Sequence, residues 1–113
     1  MSLVTLPSIP FQDTLQDVTR RIVETAHPKR IMLFGSAARG TMTRDSDLDM
    51  LVIMHGSVHR RQMAQKILRQ LHGVGLPVDV VVVTEEDVRK SEQGGFSIIQ
   101  PALQDGKVIY DDE

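Results

Sequence analysis

Apolar residues recur along the chain at two different spacings, and each spacing predicts a type of element. Between Phe11 and Ala26 they return every three or four positions, which predicts an amphipathic helix that ends before Pro28 and lies on a sheet. Three shorter apolar runs predict strands, at Arg30–Phe34, Leu48–Met54 and Val78–Val83. The middle run is apolar at nearly every later position, which indicates a central strand covered on both faces.

The rest of the chain predicts three more helices and one more strand. Ser57 is expected to cap a helix that continues to about His72 and ends at Gly73 and Gly75. The predicted buried stripe of this helix is Ala64, Ile67, Leu68 and Leu71. The remaining predicted elements are a short helix capped by Thr84 with Asp87, a helix at Ile98–Gln104 with Pro101 in its first turn, and an edge strand at Lys107–Tyr110. The alternation predicts an α/β (α+β) fold, a small mixed β-sheet covered by helices.

Length and composition are those of one soluble domain. The 113 residues are 41% apolar and 25% charged, so we expect a single domain over residues 1–113. The chain has no cysteine, which excludes disulfides, thiolate metal sites and a thiol nucleophile. No apolar run reaches the ~20 residues of a membrane span, and the first ten residues do not have the pattern of a signal peptide. We therefore expect a cytoplasmic protein that does not bind membranes.

Charge is unevenly distributed along the chain. The formal net charge of −2 argues against direct DNA or RNA binding, because such domains usually carry a positive excess. Between Met50 and Val78 there is no acidic residue, whereas Arg60, Arg61, Lys66 and Arg69 lie there. This segment is either a solvated helix face or a patch that faces an anionic ligand or partner. The four histidines carry no metal-binding pattern and are expected to be surface residues.

Aspartates stand where buried strands are predicted. Asp47 and Asp49, two positions apart, should project from one face at the start of the second strand, and Asp79 should point into covered space from the third. Isolated buried carboxylates cost several kcal/mol each and repel one another, so a compensating charge is needed. Mg²⁺ provides it, since this cation prefers oxygen ligands and keeps positions for water and phosphate. The alternative is that Asp45 and Asp47 are turn residues that bond to local backbone amides, and that Asp79 caps a strand end at a solvent edge. Asp45 is assigned to the turn.

The segment after the first predicted strand could bind phosphate. Gly35 permits a sharp bend and a close ligand approach, and Ser36 offers a hydroxyl. The amides of Ser36 and Ala37 could begin a short helix whose N-terminus attracts phosphate. Arg39 could hold phosphate charge or pair with an aspartate.

These residues together resemble a known signature. Leu33-Phe-Gly-Ser-Ala-Ala-Arg-Gly40 followed by Ser46-Asp-Leu-Asp49 resembles the motif of the nucleotidyltransferase superfamily that includes DNA polymerase beta and kanamycin nucleotidyltransferase. The resemblance covers about residues 30–83. In size the chain is similar to the minimal nucleotidyltransferases, the partners of HEPN proteins in toxin-antitoxin pairs.

The resemblance implies a role for each motif residue. Gly35 and Ser36 would bind the triphosphate of ATP or another nucleoside triphosphate, with Arg39 as a further phosphate contact. Asp47, Asp49 and Asp79 would be the catalytic residues and the ligands of Mg²⁺, with two ions expected. Two such cations stabilise the attacking and leaving oxygens of an in-line displacement.

Three functions stay open at this point. The first is Mg²⁺-dependent transfer of AMP from ATP to a hydroxyl of a partner protein, which makes the chain an antitoxin to a HEPN-type toxin. The second is an inactive antitoxin that neutralises its toxin by binding alone. The third is an adenylyltransferase for small molecules such as aminoglycosides. Larger relatives carry a helical domain for which no counterpart is expected here, so a second chain would complete the site or catalysis has been lost.

Overall fold

A five-stranded mixed sheet forms the centre of the protein. The computed structural model describes residues 2–3, 12–41, 47–94 and 98–112. The strands are β1 (Ser2–Leu3), β2 (Arg30–Phe34), β3 (Leu48–Met54), β4 (Val78–Thr84) and β5 (Lys107–Asp111), in the spatial order β1-β5-β2-β3-β4. The β3–β4 pair is parallel and the other pairs are antiparallel. The predicted fold class is therefore confirmed.

Helices cover both faces of this sheet. They are α1 (Gln12–Ala26), α2 (Gly35–Arg39), α3 (Arg60–Gln70), α4 (Glu85–Ser91) and α5 (Ile99–Asp105). Side chains of α1 and α3 share one apolar cluster with alternate residues of β3, and α4 and α5 pack into a second cluster with the intervening ones. Since successive strand residues point to opposite faces, β3 is buried on both sides, as its sequence predicts.

Helix α1 forms as its periodicity predicts. Leu15, Val18 and Ile22 are buried on its inner stripe. Thr19 is also buried, and its hydroxyl donates to the Leu15 carbonyl at 2.7 Å, which satisfies the one polar group on that stripe. Phe11, the predicted first residue of this helix, lies outside the described residues.

The start of α3 differs from the prediction. The N-cap is His59, not Ser57, and its Nδ1 accepts from the Gln62 amide at 3.3 Å. Gly56 turns the chain with a φ of +62°, and His59 is still extended, so the helix begins later than the polar pattern indicates. The predicted stripe is also partly wrong, because Ile67 and Leu71 are buried but Leu68 is 42% exposed.

Two later elements confirm their predicted types with small corrections. The predicted cap of α4 is present, since Thr84 and Asp87 exchange hydrogen bonds of 2.9 and 3.1 Å. Strand β5 was expected at an edge, but it lies between β2 and the short β1 strand. The two-residue β1 is too short to be recognised from a periodic pattern. No described helix is long and apolar enough to cross a membrane.

Candidate active site

Strand order brings the motif residues to one end of the sheet. Strand β3 lies between β2 and β4, so that Asp49 is opposite Phe34 on one side and opposite Asp79 on the other. The turn that follows Phe34 therefore lies beside Asp49. Because β3 and β4 are neighbouring strands, Asp79 can belong to the same site as Asp49. The spacing of residues in the sequence does not show that these strands are neighbours.

The chain leaves β2 at Gly35. The absence of a side chain there permits both an unusual backbone conformation and a close contact with Asp49. The φ of Gly35 is +70°, a conformation that residues with side chains rarely adopt. A Cβ at this position would also overlap the Asp49 carboxylate, whose Oδ2 lies against the glycine. Close approach was expected here for a ligand, and the structure shows that a protein carboxylate makes it. The signal for this contact is the Phe34–Asp49 register, which is not visible in the sequence.

The short helix α2 follows at once, as predicted. Phe34 occupies its N-cap position and has no side-chain acceptor for the first amides of the helix. Gly40 ends the helix with a φ of +73°, and the Thr41 amide donates to the Ser36 carbonyl at 3.0 Å. The helix therefore begins beside Asp49, because its first residue, Gly35, lies against that carboxylate.

Three carboxylates interact at this end of the sheet. Partial burial raises the pKa of Asp49, and the charges of Asp79 and Asp47 raise it further, while Arg39 acts in the opposite direction. The four residues are thus close enough for their charges to affect one another. Arg39 itself is exposed and forms no ion pair with another described residue.

Burial of the predicted ligands differs from expectation at one position. Asp49 is half-buried and Asp47 is exposed in the coil directly before β3. Asp79, which was expected to point into covered space, is exposed because it is the second residue of a strand at the sheet edge. Asp45 and Ser46 lie outside the described residues, so the assignment of Asp45 to a turn stays a prediction.

The donor set suits a hard divalent cation that shares its ligands with phosphate. Within the described ranges, no three acidic or histidine side chains are already arranged as a closed metal site. Mg²⁺ is usually held by one or two carboxylates together with water and substrate phosphates, so a dedicated cage of protein ligands is not required. The carboxylate oxygens of Asp47, Asp49 and Asp79 are of the type that this cation prefers.

One cleft of the described structure lies away from the motif end of the sheet. This cleft of about 420 Å³ is at the opposite end of the sheet and is lined by Lys29, Arg30, Ile53, Glu85, Val88, Arg89, Glu92 and Leu103. It contains none of the motif residues.

Comparisons with known proteins point to one family. A nucleotidyltransferase domain family profile matches residues 16–107. A Methanocaldococcus jannaschii protein named "Putative protein adenylyltransferase" is 33% identical over 82 residues, which are 73% of this chain and 78% of that protein.

Solved structures share the fold. A "putative nucleotidyltransferase" from Sulfolobus solfataricus superposes with a TM-score of 0.63 at 17% identity, over 90% of this chain and 81% of that one. A toxin-antitoxin structure with AMP-PNP gives a TM-score of 0.56 at 23% identity, over 93% and 76% of the two chains.

Proposed function

The chain belongs to the nucleotidyltransferase family, and from this premise we propose that it transfers AMP from ATP to a hydroxyl of a partner protein, with Mg²⁺ bound at the aspartates. The partner is a HEPN-type toxin, which the modification neutralises. In the reaction the acceptor hydroxyl releases its proton and its oxygen forms a bond to the α-phosphorus of ATP. The bond between that phosphorus and the oxygen that bridges to the β-phosphate breaks, and pyrophosphate leaves.

The observation that carries this proposal is the position of Asp49. Its carboxylate lies against Gly35, and burial together with the charges of Asp79 and Asp47 raises its pKa. Without a cation, such a carboxylate does not stabilise the fold. When a cation binds, its positive charge attracts all three carboxylates and outweighs their mutual repulsion. The same end of the sheet offers the first amides of α2 to an anion.

Each residue has a separate role in the proposed reaction. Asp47, Asp49 and Asp79 hold the divalent cations, which stabilise charge on the attacking and leaving oxygens. The amides and hydroxyl at Gly35 and Ser36 bind the triphosphate, and Arg39 adds a positive charge on the same side. The exposed position of Asp79 leaves room for an acceptor from another protein.

Two relatives support the finer parts of the proposal. The name of the Methanocaldococcus jannaschii protein supports a protein acceptor and an adenylyl donor. The toxin-antitoxin structure with AMP-PNP supports an adenine nucleotide and a toxin partner. The HEPN type of the proposed partner rests on the resemblance of the motif and the size of this chain to minimal nucleotidyltransferases.

A second candidate is an antitoxin that acts by binding alone. The exposure of Asp47 and Asp79 favours it, since neither carboxylate is held by a described partner in position for catalysis. The two candidates differ in one outcome: Asp47→Asn/Asp49→Asn abolishes neutralisation of the toxin if transfer is required and preserves it if binding suffices.

The proposal is tested by thermal unfolding with ATP, GTP, CTP or UTP, each with and without Mg²⁺. A ligand at a hundred times its Kd adds about 2.7 kcal/mol of stability, which is several degrees for a domain of this size. We expect a Mg²⁺-dependent shift with ATP that is absent in Asp47→Asn/Asp49→Asn. The matched control Glu86→Gln/Glu92→Gln removes the same charge from α4 and the residue that follows it, and it should keep the shift. If the control loses it equally, or if no nucleotide gives one, the proposed site is wrong.

A further inference from the structure

The imidazole of His55 lies between two carboxylates from distant parts of the chain. Its Nδ1 is 3.1 Å from Glu85 Oε1, and its Nε2 is 2.5 Å from Asp112 Oδ2. His55 follows β3, Glu85 is the first residue of α4, and Asp112 follows β5. Ionised carboxylates only accept hydrogen bonds, whereas a neutral imidazole has a single N–H. Both contacts are therefore satisfied together only when the ring is protonated.

Other charged groups around this ring complete a network. Lys29 Nζ lies 3.2 Å from Glu85 Oε2, so Glu85 is shared between a lysine and the histidine. Beside Asp112, the Asp111 carboxylate accepts from Arg30 at 2.9 Å. Arg89 on α4 and Glu92 directly after that helix line the neighbouring cleft with Lys29 and Glu85.

Backbone hydrogen bonds join the same segments. The Lys29 amide donates to the Ile53 carbonyl at 2.8 Å, and the Asp112 amide donates to the Lys29 carbonyl at 3.0 Å. The entry to β2, the end of β3, the start of α4 and the end of β5 thus meet at one point. Strand β5 lies between β1 and β2 in the sheet. Contacts that fix the end of β5 therefore also stabilise the pairing of β1 and β2 with it.

We propose that His55, Glu85, Asp112 and Lys29 form a pH-sensitive clamp, which ties the end of β5 to β3 and α4 while the imidazole is protonated and loosens when it is neutral. On deprotonation one ring nitrogen becomes an acceptor that faces a carboxylate, and that contact turns from attractive to repulsive. Lys29 continues to hold Glu85, so the clamp weakens and does not open completely.

The direction of the pH effect follows from the cluster. The hydrogen bond with Asp112 raises the pKa of His55, and the charges of Asp112 and Glu85 raise it further. When the pKa of a histidine is higher in the folded state, its protonated ring stabilises the fold. This stabilisation is complete at pH values below the unfolded-state pKa of about 6.5, and it is lost as pH rises through the folded-state pKa. The clamp is therefore closed in mildly acidic conditions and loosens toward alkaline pH.

The first test is an NMR titration of the histidine rings in the wild type, Asp112→Asn and Glu85→Gln. We expect the His55 ring to titrate with a higher midpoint in the folded protein than in the same protein unfolded in urea, and the folded midpoint to fall in both variants. The amides of Lys29 and Asp112 should shift with the same midpoint as the His55 ring. A His55 midpoint that is the same in the folded and the unfolded protein, or one that neither variant changes, would overturn the proposal.

The second test separates a clamp from a ring that titrates without consequence. Urea unfolding of the wild type, His55→Gln and the control His72→Gln is compared at pH 5.5 and pH 8.5. We expect His55→Gln to be less stable than the wild type at the lower pH, with a difference that shrinks at the higher pH, and His72→Gln to follow the wild type at both. An equal difference at both pH values would contradict a pH-sensitive clamp.

Discussion

Carboxylates at the two ends of the sheet have pKa values shifted in opposite directions. At the motif end, Asp49 is surrounded by like charges, and burial together with Asp79 and Asp47 raises its pKa. At the far end, about 20 Å away along β3, the hydrogen bond from Lys29 lowers the pKa of Glu85. Both groups are carboxylates at the end of a β-strand, but only the second has its charge neutralised by the protein.

This difference separates structure from function. The far end pairs its charges across four chain segments, as expected where charges help to hold a fold together. The motif end accumulates negative charge beside a glycine that makes room for it. An arrangement that costs stability in the free protein is typical of a binding site, because its ligand supplies the missing charge.

The largest effect on this comparison should come from Gly35→Ala. The added Cβ overlaps the Asp49 carboxylate, and the residue is held at a φ of +70°, so we expect a loss of roughly 2 to 3 kcal/mol in urea unfolding together with loss of nucleotide binding.

A matched control isolates the contact from the backbone strain. Gly73 has a φ of +81° and open space around its Cα, so Gly73→Ala should cost only about 1 kcal/mol. In an Asp49→Gly background the additional cost at position 35 should disappear. If Gly35→Ala and Gly73→Ala cost the same, the close approach of Asp49 is not present in solution.

A smaller effect is expected from Thr84→Ala at the far end. The substitution removes the acceptor for the Asp87 amide at the start of α4, which should cost about 1 kcal/mol in urea unfolding. Nucleotide binding should be unchanged, because the cap lies at the opposite end of β4 from Asp79. Equal loss of nucleotide binding in Thr84→Ala and Gly35→Ala would show that the two ends do not act separately.

The smallest effects are expected when a carboxylate is replaced by an uncharged amide at each end of the sheet. The change in stability should have opposite signs in the two variants. The pKa of Asp49 is raised in the folded state, so Asp49→Asn should be more stable than the wild type at neutral pH, and the gain should vanish as pH falls through that pKa. The pKa of Glu85 is lowered, so Glu85→Gln should be less stable at neutral pH, and its deficit should vanish as pH falls through the folded pKa of Glu85. Thermal unfolding between pH 3 and 8 measures both, and gains or deficits of the same sign would contradict the comparison.

Local patterns predicted the elements, whereas contacts between distant residues had to come from the structure. The bounds of β2 and β3 follow directly from apolar runs that end at glycine or begin after aspartate. The proximity of Asp49 and Asp79 depends on a parallel pairing across an intervening helix, which no local pattern specifies. His55 was expected to be a surface residue and is exposed, but the two carboxylates that contact it are 30 and 57 positions away in the chain.

The central claim is that the aspartates at the motif end bind a divalent cation, and paramagnetic line broadening by Mn²⁺ tests it directly. In a ¹⁵N-labelled sample with ATP, Mn²⁺ should broaden the amide signals of Gly35, Asp47, Asp49 and Asp79, because a paramagnetic cation relaxes nearby nuclei, while the signals of His55 and Glu85 stay sharp. The broadening should be absent in Asp47→Asn/Asp49→Asn and retained in Glu86→Gln/Glu92→Gln. Broadening at His55 and Glu85, or none at the motif end, would contradict the claim that these aspartates hold the cation of a nucleotide site.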